Sequence, residues 1–190
     1  AVTWQGTDTI EVRDVPDPVL REPTDAIVRV TSTAICGSDL HYFFHGRVGD
    51  FVIREPLVLG HEFAGEVAET GTAVTRVKAG DRVCVNPSRT CGRCPRCREG
   101  RPNLCESVFF MGSASKFPHM HGGFTEYVSV DEGQCFPVSG DLPFAEMAFA
   151  EPLSVALHAA LRGGNLMGRS VLVTGAGPIG QLVLLAAKRG

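Results

Sequence analysis

Apolar and polar positions alternate with period two in several short stretches of the first two-thirds of the chain. Residues 26–34 (Ala-Ile-Val-Arg-Val-Thr-Ser-Thr-Ala) alternate and are rich in β-branched side chains, which predicts a strand. Residues 63–69 and 82–86 follow the same pattern, and so do residues 124–130. Turns fall at Gly71-Thr72 and at Ala79-Gly80-Asp81. Short strands at this spacing, with Gly and Pro between them, predict an antiparallel, barrel-like β domain. The period then changes. From Pro143 to about Leu161 the apolar residues recur at helical spacing, broken at Glu151-Pro152. Ser170–Thr174 reads as a short buried strand and Gln181–Ala187 as a helix, with Gly175-x-Gly177-x-x-Gly180 between them.

Strand, G-x-G-x-x-G and helix together predict the first unit of a dinucleotide-binding α/β domain. Gly175 permits the tight turn, Gly177 lets a pyrophosphate approach the backbone, and Gly180 lets helix and strand pack closely. The helix N-terminus presents free N–H groups and its positive dipole end to phosphates. The acidic residue that reads the adenosine ribose is expected about 20 residues further on, past Gly190, so NAD and NADP are not distinguished. Ile179, Leu182, Val183 and Ala186 need a sheet to bury them. The chain has no initiator Met and ends at Lys188-Arg189-Gly190, so it reads as part of a longer enzyme.

Composition narrows the function class. The chain has 190 residues, 44% apolar, with 18 basic and 21 acidic side chains and a net charge of −3. That balance does not suit a dedicated nucleic-acid binder. No run reaches the ~18 apolar residues of a membrane span, and no signal peptide is visible. Seven cysteines are too many to ignore, but an odd count in a chain with an ordinary core favours reduced metal-binding thiols in a cytoplasm over disulfides.

Four of them, Cys91, Cys94, Cys97 and Cys105, stand as C-x2-C-x2-C-x7-C. Four thiolates so close can close a tetrahedron around one Zn²⁺, leaving no position for water or substrate, so this is a structural site. An iron–sulfur cluster is the alternative occupant. A second set of ligand types lies at Cys36, His61 and Glu62. Cys36 is expected to end a strand, with Gly37 freeing a sharp turn that brings Ser38 and His41 near the thiol. A catalytic zinc takes about three protein ligands and leaves one position open. There it acts as a Lewis acid toward an alcohol, and a hydroxyl followed by an imidazole makes a relay for the released proton. Glu151, a carboxylate in an apolar helical stretch, is a further candidate ligand because an unpaired buried carboxylate is costly. Cys84, Cys135 and His158 read as packing residues, and His45, His119 and His121 as loop residues. Arg89, Arg93, Arg96, Arg98 and Arg101 cluster around the four cysteines, but with no interleaved aromatics they make a poor nucleic-acid surface.

These motifs resemble the zinc-dependent medium-chain dehydrogenase/reductase family. Gly60-His61-Glu62-x2-Gly65-x5-Gly71-x2-Val74, the four-cysteine lobe and Gly175-x-Gly177-x-x-Gly180 match that family's signatures over essentially the whole chain. The resemblance implies an α/β protein with a GroES-like β-barrel catalytic domain over residues 1–150. Residues 151–190 would then be a linker helix and the first βα unit of a Rossmann coenzyme-binding domain. Glu151-Pro152-Leu153-Ser154-Val155-x-x-His158 and Cys36-Gly37-Ser38-Asp39-x-His41-Tyr42 are similar to the polyol dehydrogenase branch. By resemblance Cys36, His61 and Glu151 take the catalytic zinc with Glu62 able to exchange, and Ser38 and His41 relay the proton. Tyr42 and Phe110 line the substrate pocket, and Gly175, Gly177, Pro178, Ile179 and Gly180 contact NAD or NADP. Gly46–Gly49, Asn86–Ser88, Phe109–Ala114, Phe117–His119 and Gly122–Phe124 resemble members of that branch that oxidise sugar acids. Arg47, Arg54 and Lys116 are the basic residues available for a carboxylate. The resemblance implies two Zn²⁺ per chain, a small polyol or sugar-acid substrate, a cytoplasmic homo-oligomer (dimer or tetramer), and neither nucleic acid nor membrane as partner.

Overall fold

The computed structural model of the protein describes residues 1–189. It divides into two compact units, Ala1–Ala148 and a second beginning at Phe149. In the first, β1 (Val2–Gly6) and β2 (Thr9–Val12) form a hairpin. The long β3 (Asp25–Ala34) leads to α1 (Gly37–His45), a small hairpin of β4 (Arg47–Val48) with β5 (Phe51–Val52), and β6 (Leu57–Val58). Then come β7 (Glu62–Thr70), β8 (Arg82–Val85), β9 (Ser88–Arg89), the single-turn α2 (Pro95–Arg98), β10 (Phe109–Phe110), β11 (Tyr127–Asp131) and β12 (Cys135–Pro137). The unit closes on α3 (Phe144–Met147).

The main sheet has the order β11-β3-β7-β8-β12 and is antiparallel throughout. A three-stranded sheet β2-β1-β6 lies apart from it. Alternation decides which faces are buried: Ala26, Val28, Phe63, Val67, Val83, Val85, Val128, Val130 and Cys135 build the main core. Burial pushes the Cys135 thiol up to about 12, so it stays a neutral packing group. A second core forms from Tyr42, Ile53, Leu57, Leu59 and Ala114, with Trp4 and Phe124 packed on it.

Gly65 shows why the register of β3 on β7 is specific. It lies opposite Val30 beside an irregularity between Val30 and Ser32, and a Cβ there would stand 2.1 Å from the Arg29 carbonyl oxygen.

In this unit and at its junction with the next helix, three expected elements differ. The stretch expected as a strand over 124–130 enters the sheet only at Tyr127, because Phe124 is used elsewhere. Its N–H bonds to the Leu59 carbonyl, and its ring fills the space beside Gly60. Cys36 does not end a strand, and Gly37 makes no sharp turn: β3 stops at Ala34, and Cys36 caps a nine-residue helix that also takes in His45. The helical break falls before Glu151-Pro152, since Pro152 lies in the first turn of a helix, where its missing N–H costs nothing.

In the second unit α4 (Ala150–Arg162) and α5 (Pro178–Ala187) pack against each other. Ser170–Thr174, expected as a buried strand, is unpaired, with Val171 and Leu172 44% and 88% exposed. A strand needs a hydrogen-bonding neighbour, and none is present among the described residues.

Candidate metal centres and active site

The sheet and α1 bring Cys36, His61 and Glu62 together. Their ligand atoms all lie within 4.8 Å of one another. Glu62 opens β7 opposite Ala34, the last residue of β3, with His61 just before it and Cys36 two residues past β3 at the cap of α1. His61 and Glu62 are each 6% exposed. Gly60 sets their entry: its φ is +89°, and a Cβ would meet the Phe124 ring at 2.3 Å. A left-handed residue in that space has to be glycine.

Asp39 organises this cluster. It is 3% exposed, and its Oδ2 accepts the Cys36 N–H at 2.9 Å. Its Oδ1 accepts the Gly60 N–H at 3.2 Å and lies 3.7 Å from His61 Nδ1. Burial pushes its carboxyl up, while His61 and the two N–H donors pull it back. Sequence reading gave Asp39 no role of its own, although its position three residues after the helix cap is the spacing at which an acidic side chain reaches back to the cap N–H.

The donor set fits a zinc ion. With bonds of about 2.0–2.3 Å, ligand atoms around one tetrahedral ion sit about 3.3–3.8 Å apart, so small adjustments within the observed cluster suffice. His61 Nδ1 is buried without a hydrogen bond and faces the Asp39 carboxylate. That is the arrangement of a metal-bound imidazole whose other nitrogen is steered by a carboxylate. Burial pushes the Cys36 thiol up, hydrogen bonds from Ser38 pull it down, and Glu62 and Asp39 push it up again. A cation held beside the sulfur would offset both burial and the carboxylates and favour the thiolate. Ser38 thus stands at the thiol, whereas His41 lies exposed on α1.

The second cluster is Cys91, Cys94, Cys97 and Cys105, also within 4.8 Å of one another. Cys94 and Cys97 sulfurs are 3.5 Å apart. Backbone N–H groups point at the sulfurs: Cys91 N–H to Cys105, Cys94 N–H to Cys91, and Ser107 N–H to Cys105, at 3.3, 3.3 and 3.4 Å. The Glu106 N–H and then Cys97 pull the Cys94 thiol down to about 6. Lost hydration and the neighbouring sulfurs push Cys97 up to about 12. The cradle thus favours a thiolate at Cys94 and a neutral thiol at Cys97, and a cation among the four sulfurs would let all of them ligate as thiolates. All seven cysteines are free thiols.

Phe110 stands edge-on to the His61 ring at 5.3 Å, which puts it at the first cluster. Tyr42 is different. It is 3% exposed, and its hydroxyl accepts the Ala114 N–H at 3.0 Å and lies 3.3 Å from the Ser113 hydroxyl. The hydroxyl thus ties α1 to the loop at Ser113 and Ala114. His119 and His121, unassigned from sequence, tie loops together: His119 Nε2 accepts the Arg54 N–H at 2.9 Å and His121 Nδ1 the Val58 N–H at 3.2 Å.

In the second unit Glu151 lies in the first turn of α4. Gly177 caps α5, with Pro178 next. Gly175 has φ +89°, and a Cβ on Gly180 would meet the Gly175 carbonyl at 2.0 Å, whereas one on Gly177 would meet nothing within 4 Å. Two glycines thus serve the turn and one leaves open space before the helix N-terminus.

Residues 22–140 match the alcohol dehydrogenase GroES-like domain. The chain belongs to this family, the zinc-dependent medium-chain dehydrogenases/reductases. Among individual relatives it is 46% identical over 162 residues to L-idonate 5-dehydrogenase (NAD(P)(+)) of Escherichia coli K12, covering 85% of this chain and 47% of that protein. It is 39% identical over 188 residues to sorbitol dehydrogenase of Bacillus subtilis, covering 99% of this chain and 52% of that one. The crystal structure of the E. coli L-idonate 5-dehydrogenase superposes with a TM-score of 0.90 at 42% identity, over 98% of this chain and 53% of that one. The chain spans about half the length of the curated relatives it matches. Among the described residues, no helix is long and apolar enough to cross a membrane.

Proposed function

We propose that this chain belongs to a zinc-dependent oxidoreductase that moves hydride from a secondary alcohol of a sugar acid or polyol to NAD(P). The preferred substrate in this reading is L-idonate, oxidised at its 5-hydroxyl to 5-keto-D-gluconate. The observation that carries the proposal is the pairing, in one chain, of a buried Cys36–His61–Glu62 cluster with a separate four-cysteine cluster. A closed site accounts for structure and leaves the other for chemistry.

In this reading residues 1–150 form the catalytic domain, and residues 151–190 the linker helix and first unit of the coenzyme domain. Cys36, His61 and Glu151 hold the catalytic zinc, with Glu62 able to take a place beside them. Cys91, Cys94, Cys97 and Cys105 hold the second. Zinc bound at the first site supplies Lewis acidity that lowers the pKa of a substrate hydroxyl. Asp39 fixes the His61 ring and the Cys36 backbone. Phe110 walls the site and Tyr42 positions Ser113. Ser38 takes the substrate proton and His41, exposed on α1, delivers it to water. Gly175, Gly177, Pro178, Ile179 and Gly180 cradle the coenzyme pyrophosphate at the N-terminus of α5. The protein works as a cytoplasmic homo-oligomer.

The substrate is tested by initial rates of coenzyme reduction with L-idonate, sorbitol, xylitol and L-threonine, each with NAD and NADP. A kcat/KM at least tenfold higher for L-idonate is expected. A preference for sorbitol or xylitol, the reading favoured by the 99% coverage in the Bacillus match, would keep the zinc chemistry and discard the sugar-acid specificity.

A further inference from the structure

Outside the two clusters just described, α1 carries a second pair of metal-ligand side chains. His41 and His45 are four residues apart and share one face of the helix. Both are exposed, and their ring centroids are 5.7 Å apart at an interplanar angle of 42°. No hydrogen bond or ion pair engages either imidazole among the described residues; the pair's aromatic neighbour is Phe44, 6.3 Å from His45. Two histidines at this helical spacing are a zinc-binding arrangement in their own right. With metal–nitrogen bonds of about 2.0–2.1 Å, two imidazoles on one ion place their centroids about 5 Å apart. The observed centroid distance of 5.7 Å lies close to that separation. The open side of such a site is completed by water.

We propose that His41 and His45 form a surface site for a divalent transition ion of the imidazole-preferring class, Ni²⁺, Cu²⁺ or Zn²⁺, separate from the two cysteine-containing clusters. Two imidazoles held in register bind more tightly than one because the second ligation is intramolecular, and late first-row ions gain most. One consequence rests on the function proposed above. An ion on His41 occupies the nitrogen lone pair that the relay needs for the proton. Filling the site therefore stops the relay at its solvent end while both zinc clusters stay intact.

The test is calorimetric titration of the zinc-loaded protein with NiCl₂, with zinc content measured before and after to show that neither cluster has exchanged. The wild type is expected to bind Ni²⁺ with at least tenfold higher affinity than His45→Ala and than His45→Gln, both of which retain His41. Equal affinity in wild type and both variants would overturn the site. In a parallel arm, Ni²⁺ is expected to inhibit the wild type, and His45→Ala to keep its uninhibited rate and to require at least tenfold more Ni²⁺ for the same loss. Binding lost in the variants, with a wild-type rate indifferent to Ni²⁺, would uphold the site and overturn the relay assignment of His41. If none of the four substrates is turned over, the functional reading fails while the binding arm still decides the site.

Discussion

At the residue scale Asp39 links the separate parts of the site. One carboxylate accepts two backbone N–H groups, from Cys36 and Gly60, and faces His61 Nδ1. The Gly60 donor is buried and the Cys36 donor half-buried, and a buried donor left unpaired costs about 1–3 kcal/mol. Asp39→Asn keeps the size but presents an amide NH₂ to one of its donors. It is expected to weaken zinc binding by about 10–100-fold, the range for loss of a group that orients a metal-bound histidine. Zinc retention against a graded chelator series measures this, and an unchanged retention curve would remove Asp39 from the site. The residues Cys36, His61 and Glu62 were legible in the chain because ligand chemistry restricts the choice to a few side-chain types. Asp39 was not, since a lone acidic residue in a sequence carries no mark of burial. Tyr42 was readable as an aromatic near the site, yet the hydrogen bonds that take up its hydroxyl come from residues about 70 positions away.

At the element scale, the period-two pattern foretold β3, β7 and β8, of which β8 alternates along its length while the first four residues of β3 and of β7 are buried on both faces. The N-terminal part of the 124–130 stretch alternates equally well but is claimed by tertiary contacts of Phe124, which local pattern does not encode. The helix α1 escaped notice because Cys36-Gly37-Ser38 reads as a turn, and only Asp39 bonding back to the Cys36 N–H shows that a helix begins there. Ser170–Thr174 has the composition of a strand and lacks only a partner. Gly65 gives the sharpest test at this scale. A methyl group there stands 2.1 Å from the Arg29 carbonyl oxygen and 3.0 Å from Val28 Cγ1. Gly65→Ala therefore forces β3 and β7 apart three residues from Glu62, in the strand pair next to the Cys36–His61–Glu62 cluster. A loss of about 3 kcal/mol, the upper end of overpacking costs, is expected. Urea unfolding measures it, and a loss below ~0.5 kcal/mol would show that the strands yield without strain.

At the scale of the whole molecule, two clusters with similar chemistry have opposite dependence on the fold. Cys36, His61 and Glu62 are delivered by paired strands and a helix that pack on cores of buried apolar side chains. The four-cysteine lobe has only a single-turn helix, one short 3-10 turn and local backbone bonds to hold it. None of the residues in those two short elements is buried. With so little apolar surface to bury, the lobe in the proposed reading draws its order from a bound ion, because metal binding to a site that does not preform is itself folding free energy. Cys36→Ala is therefore expected to abolish turnover while leaving the unfolding midpoint and near-ultraviolet circular dichroism close to wild type. Cys94→Ala removes a sulfur held by the Glu106 N–H and by Cys97. It should open the lobe, release one equivalent of zinc and make the 91–105 segment the first site of proteolytic cleavage. The two variants are distinguished by limited proteolysis with zinc quantified in parallel. If both lose the fold to the same extent, or if Cys94→Ala leaves the lobe protected, then the ions do not divide into one for chemistry and one for structure.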